Sequence, residues 1–104
     1  MNNCTFTGYL VDEPVLGKDA EGVSFLNFQL VTYLYRKTKN GEKNRIPTFL
    51  NFEAWASGAE TIAKLAKRGT KLTVVASAKN KSKEDPAVVF RVNEFDFACL
   101  DEKG

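Results

Sequence analysis

A chain of 104 residues has room for one small domain and not for two. With 43% hydrophobic and 27% charged residues the composition is globular, and no apolar run nears the ~20 residues that cross a bilayer as a helix. Fifteen Lys plus Arg against thirteen Asp plus Glu leave a net charge of +2, and histidine, the commonest general base, is absent.

The opening residues, Met1-Asn2-Asn3-Cys4-Thr5, lack the basic start and apolar core of a secretory signal, so the cytoplasm is the expected compartment. Cys4, Phe6, Gly8 and Leu10 then alternate with Thr5, Thr7, Tyr9 and Val11, the period-two pattern of a strand. Asp12-Glu13-Pro14 ends it. The adjacent carboxylates of Asp12 and Glu13 read as a solvated turn, since strand neighbours face opposite ways and do not converge on a substrate. A second strand is expected from about Val23 to Tyr35, with Leu26, Phe28 and Leu30 on one face and Asn27, Gln29, Val31, Tyr33 and Tyr35 on the other. The stretch from Arg36 to Arg45 is the most basic in the chain and centres on Asn40-Gly41, a strong hairpin signal, so it reads as a protruding two-stranded arm or a flexible basic loop.

The third strand, Thr48 to Ala56, places Leu50, Phe52 and Ala54 on one face and Phe49, Asn51, Glu53 and Trp55 on the other. Ser57-Gly58-Ala59-Glu60 matches a capping box, Ala59, Ile62, Ala63 and Ala66 follow helical spacing, and Gly69 supplies a stop, so one short helix is expected here. A fourth strand is expected from about Thr70 to Lys79 and a fifth from about Val88 to Phe97. Phe90 and Val92 lie out of phase with Phe95 and Phe97, which a β-bulge near Asn93 would reconcile. Cys99 pairs with nothing obvious: two thiols without histidine cannot close a four-ligand zinc site, so Cys4 and Cys99 read as buried or half-buried free thiols and no metal or other cofactor is expected. No Ser/His or Cys/His pair, phosphate loop or catalytic carboxylate pair is present either, which argues against an enzyme.

Charge is unevenly spread: residues 35–83 carry a local net of +9 and the remainder −7. A polyanion would be met by the middle of the chain. Five strands with one short helix between the third and fourth is the order of an all-β, five-stranded Greek-key barrel of the OB type, spanning residues 1–104 as one domain. Such barrels bind oligonucleotides or oligosaccharides on their second and third strands.

Several segments then resemble one family. Gly8-Tyr9-Leu10 with Glu13-Pro14, Asn27-Phe28-Gln29-Leu30, Phe49-Leu50-Asn51-Phe52-Glu53-Ala54-Trp55, and Ala59-Glu60, Ile62-Ala63, Leu65 and Lys67-Arg68-Gly69-Thr70 are similar, in order and spacing, to motifs of the bacterial and phage single-stranded DNA-binding proteins. The resemblance implies a non-catalytic protein that coats single-stranded DNA during replication, recombination and repair. It also implies a homodimer or homotetramer, away from membranes, in the bacterial cytoplasm or nucleoid, or in the infected host's cytoplasm if phage-encoded. Family members stack bases at positions that align with Tyr35, Phe49 and Trp55. The faces derived above agree and add Tyr33, because the barrel does not need these four as core; Tyr9, as added aromatic surface, is a further stacking candidate. Phe6, Phe28, Phe52 and Phe90 are assigned to the core. Arg36, Lys37, Lys39, Lys43, Arg45, Lys79, Lys81 and Lys83 are the candidates for phosphate contact, whereas Lys64, Lys67 and Arg68 fit a solvated helix face.

The chain departs from the family at four places. Lys83 stands near an expected aromatic, Tyr9 replaces a basic or polar residue, and Glu53 puts a carboxylate on the proposed DNA face, where a Lys or Arg partner is expected. The ending Asp101-Glu102-Lys103-Gly104 is no acidic-aromatic tip, so recruitment of other replication proteins is not expected from it. Two other functions use the same surface: a primosome-type or RNA-binding OB module, and an OB domain whose aromatics meet other proteins.

Overall fold

The computed structural model describes residues 1–97; Cys99 and the ending from Asp101 to Gly104 lie outside the described residues. The elements are β1 (Cys4–Leu10), β2 (Gly17–Lys18), β3 (Ser24–Lys37), β4 (Lys43–Trp55), α1 (Ala56–Leu65), β5 (Lys71–Asn80) and β6 (Val88–Phe97). Five of the strands close into a barrel in the order β1-β5-β6-β4-β3, with β3 returning to β1. The expected OB architecture is present. Its three long ladders, β1–β5, β3–β4 and β5–β6, are antiparallel. The two joins that close the ring are short: Tyr9↔Val31 and Leu10↔Leu30 between β1 and β3, and the parallel pairs Phe52↔Phe90 and Glu53↔Arg91 between β4 and β6.

Alternation decides which residues face inward. Leu26, Phe28 and Leu30 of β3 meet Phe52 and Ala54 of β4, Leu72, Val74 and Ala76 of β5 and Leu10 of β1 in one core. Phe52 is its largest fully buried side chain. Its ring lies 5.4 Å from Phe28, 5.8 Å from Phe6 and 5.6 Å from Phe90, so the four phenylalanines expected in the core form one aromatic cluster. The out-of-phase fifth strand is resolved as anticipated. Pairing steps from Val75↔Glu94 to Ala76↔Val92, which leaves Asn93 without an opposite residue and lets Val92 and Phe95 both pack on the core.

Two local expectations change. The loop after β1 contains the two-residue strand β2, paired at Gly17↔Phe25 and Lys18↔Ser24. A Cβ on Gly17 would sit 2.7 Å from the tip of the Phe25 ring, so a larger residue there would push that ring aside. The Arg36–Arg45 segment takes the first of its two expected forms, a two-stranded arm, laddered out to Lys37↔Lys43 and closed by Thr38 N donating to the Glu42 carbonyl at 2.7 Å.

The helix is the second change. It starts at Ala56, one residue before Ser57, with extended Trp55 in the capping position and no side-chain cap. The Glu60 carboxylate is drawn elsewhere: it accepts the hydroxyl of Ser24 at 2.6 Å, and Ser24 is the one buried polar residue among the described residues. A buried hydroxyl needs an acceptor more than an exposed helix end needs a cap. The helix also ends early, at Leu65, because Ala66 is extended, and Gly69, at φ 90°, serves the following turn instead. Ser24→Ala is expected to cost roughly 1–2 kcal/mol, a drop of several degrees in Tm by circular dichroism for a domain of this size. An unchanged Tm would mean that solvent serves Glu60 equally well.

Buried Ala59 and Ile62 seat the helix against β3 and β4. No helix among the described residues is long and apolar enough to cross a membrane. Cys4 is a free, half-buried thiol.

Candidate nucleic-acid interface

The β3–β4 register sets Phe25 opposite Trp55, Asn27 opposite Glu53, Gln29 opposite Asn51, Val31 opposite Phe49, Tyr33 opposite Pro47, Tyr35 opposite Arg45 and Lys37 opposite Lys43. Opposed residues share a face, and the core claims the other parity, so these pairs form one outward surface. From Phe25 to Lys37 it is about 40 Å long at ~3.3 Å per residue. Tyr35 and Phe49 are 68% and 53% exposed. Tyr33 is half-buried beneath Arg45, whose guanidinium lies 4.1 Å from the ring centre. Tyr9, 40% exposed on β1, continues the Val31↔Phe49 row onto a third strand and has the Lys71 ammonium 5.9 Å from its ring.

Four of the five expected stacking residues therefore lie along one face of the ribbon, and Tyr9 adjoins them on the neighbouring strand. The basic candidates divide. Lys37, Lys43 and Arg45 belong to this face and Lys39 to the turn at its tip, whereas Arg36 pairs with Asn44 on the opposite face. Arg36 has even parity, in phase with Leu26 and Leu30, and so does not join its neighbours.

At the other end of the ribbon lies a cleft of about 730 Å³. It is lined from β3 and β4 by Phe25, Asn27, Gln29, Asn51, Glu53 and Trp55, from the loop after β1 by Asp12-Glu13-Pro14, and from the β5–β6 connection and β6 by Lys81, Asp85 and Val88. Gln29 donates its amide to Asn51 Oδ1 at 3.0 Å. The Trp55 ring packs 5.6 Å from Phe25, and its indole N–H donates to Glu53 Oε2 at 3.1 Å. Glu53 Oε1 meets Lys79 Nζ at 3.5 Å, which supplies the cationic partner expected for that carboxylate and engages a lysine expected on phosphate. Lys81 lines the cleft, and Lys83 is exposed in the β5–β6 turn.

Two residues of this region were not singled out in the sequence. Phe25 has the odd parity of Tyr33 and Tyr35, which alone places it on the outer face. Arg91, whose guanidinium lies 5.9 Å from the Trp55 ring, is brought there by the parallel β4–β6 pairing, and no local pattern announces that contact.

The fold and this face define an OB barrel with an aromatic and basic binding surface. The model of the single-strand binding protein family matches residues 1–94, and the chain belongs to that family, whose members bind DNA without catalysing a reaction. A single-stranded DNA-binding protein of Enterococcus faecalis is 31% identical over 85 residues, 82% of this chain, which spans 44% of that relative's length. The single-stranded DNA-binding protein of Thermus aquaticus superposes with a TM-score of 0.79 at 19% identity, covering 100% of this chain and 52% of its own. PriB from Ralstonia solanacearum gives 0.73 at 19%, covering 94% and 98%. At these identities the two structures speak for the fold alone.

Proposed function

We propose that this chain is a sequence-tolerant single-stranded DNA-binding domain that coats strands exposed in replication, recombination and repair, acting in the cytoplasm as a homodimer or homotetramer. The observation that carries this reading is the continuous outward face of β3 and β4, about 40 Å long, which sets aromatic rings along its length and gathers Arg45, Lys37 and Lys43 at its far end. Each ring offers a stacking platform worth ~1–3 kcal/mol per base whatever the base, and the cations follow the backbone. Trp55 and Phe49 are the principal platforms, Tyr35 the next, with Tyr33 and Tyr9 beside them. Lys37, Lys39, Lys43 and Arg45 track phosphate along the arm, and Lys81 and Lys83 do so beside the cleft.

Stacking needs unpaired bases, so binding should favour single strands over duplex. Trp55 is the single tryptophan, and its emission reports the site directly. Titration with single-stranded DNA, single-stranded RNA and duplex of equal length should quench that emission with single-stranded DNA at the lowest concentrations. Equal or tighter duplex binding would rule the proposal out, and a preference for RNA would move the protein to the RNA-binding reading.

A further inference from the structure

Four carboxylates line the cleft, Asp12, Glu13, Asp85 and Glu53, and Glu53 is the one that stands on β4, on the stacking face between Phe49 and Trp55. A carboxylate there repels phosphate, and a partly exposed ion pair such as Glu53–Lys79, with the side chains 14% and 38% exposed, contributes little to stability. Its two oxygens nonetheless have separate engagements: Oε2 accepts the Trp55 indole N–H at 3.1 Å, and Oε1 faces Lys79 Nζ at 3.5 Å. Trp55 is further confined by the Phe25 ring at 5.6 Å and the Arg91 guanidinium at 5.9 Å.

We propose that Glu53 is a positioning residue with two linked effects: it holds the Trp55 indole in the orientation that receives a base, and it withholds Lys79 from the phosphate track. The inference rests on the cleft being a single-stranded DNA site. An indole already held by its N–H loses little rotamer freedom when a base arrives, so ordering it does not subtract from the stacking gain. The ammonium of Lys79, balanced by Glu53, releases few counterions on binding. Glu53 thus trades charge attraction for a preorganised ring, and the site depends on stacking more, and on salt less, than its lysine content suggests.

Glu53→Gln and Glu53→Ala separate the two effects. Gln keeps an acceptor for the indole but frees Lys79; Ala removes both. Both variants should steepen the plot of log affinity for oligo-dT against log salt by ~0.7, the effect of neutralising one further phosphate on a single strand. Adding Lys79→Gln to Glu53→Gln should return the slope to that of the parent. At every salt concentration Glu53→Ala should bind about 2- to 10-fold more weakly than Glu53→Gln, because only the alanine variant must order its indole on binding. Without DNA, the emission anisotropy of Trp55 should fall in Glu53→Ala and be kept in Glu53→Gln.

Identical affinities and identical anisotropies for the two variants would overturn the positioning role. An unsteepened slope in both would overturn the withholding of Lys79. If the parent fails to bind oligo-dT at all, the DNA reading itself falls, while the anisotropy comparison still decides whether Glu53 holds the ring.

Discussion

Replacing Trp55 and Phe49 together by alanine is expected to weaken binding to oligo-dT by about 2–6 kcal/mol while leaving the barrel folded, each stacked base contributing ~1–3 kcal/mol. The two rings lie six residues apart on β4, about 20 Å at strand rise, and such distant sites lose binding energy additively. Phe49 is half exposed, and Trp55 packs outside the phenylalanine cluster that fills the barrel. The far-ultraviolet spectrum of the double variant should therefore match that of the parent. Fluorescence of labelled oligo-dT measures the affinity, since the variant has no indole of its own. Full affinity in the double variant would leave these rings as protein-contact anchors, and the interaction-domain reading would then take precedence.

Neutralising Lys37, Lys39 and Lys43 together, by glutamine, should flatten the salt plot by up to ~2, about 0.7 for each phosphate that a single strand then leaves to its counterions. The arm makes the prediction specific. Lys37 and Lys43 are laddered opposite each other at its far end, and Lys39 sits in the turn between them. Like charges directly opposed on a ladder repel, so the arm holds its cations together at some cost, which a phosphate relieves. The melting temperature should hardly move, since exposed charges of this kind rarely contribute more than ~0.5 kcal/mol. An unchanged slope on the same oligo-dT would mean that the arm points away from DNA, leaving Lys81 and Lys83 to carry the phosphate track.

The barrel was legible because its strands alternate strictly: Leu26, Phe28 and Leu30 against Leu50, Phe52 and Ala54 fixes which faces meet, and the phase change around Asn93 marks the bulge. The same alternation exposed Tyr33, Tyr35, Phe49 and Trp55 as outward residues. What escaped lacks a local signal. Gly17–Lys18 is too short to show a period. The outer ladder from Arg36 to Arg45 is polar on both faces, so hydrophobic patterning is silent there and only the Asn40-Gly41 turn signal pointed to paired strands. The Ser57-x-x-Glu60 motif was present in the sequence, but Ser24, 36 residues away along the chain, claimed its glutamate. Arg91 reaches Trp55 through a parallel pairing between strands far apart in sequence, and such a contact exists only once the ring has closed.

That closure is uneven. The β3–β4 ribbon and the β1–β5–β6 sheet are each laddered over long runs, whereas only two ladder pairs join them on each side, supplemented beside β1 by Val11 N donating to the Gln29 carbonyl at 3.0 Å. The cleft straddles one of these joins, with Asn27, Asn51 and Trp55 on the ribbon's bank and Lys81, Val88 and Val89 on the sheet's. On the proposed reading, a strand of DNA in the cleft would act as a buckle, its bases stacked on the ribbon and its phosphates held from the β5–β6 turn. Occupancy of the groove and integrity of the barrel would then be coupled, and bound DNA is expected to slow hydrogen exchange most at the amides of Phe52, Glu53, Phe90 and Arg91.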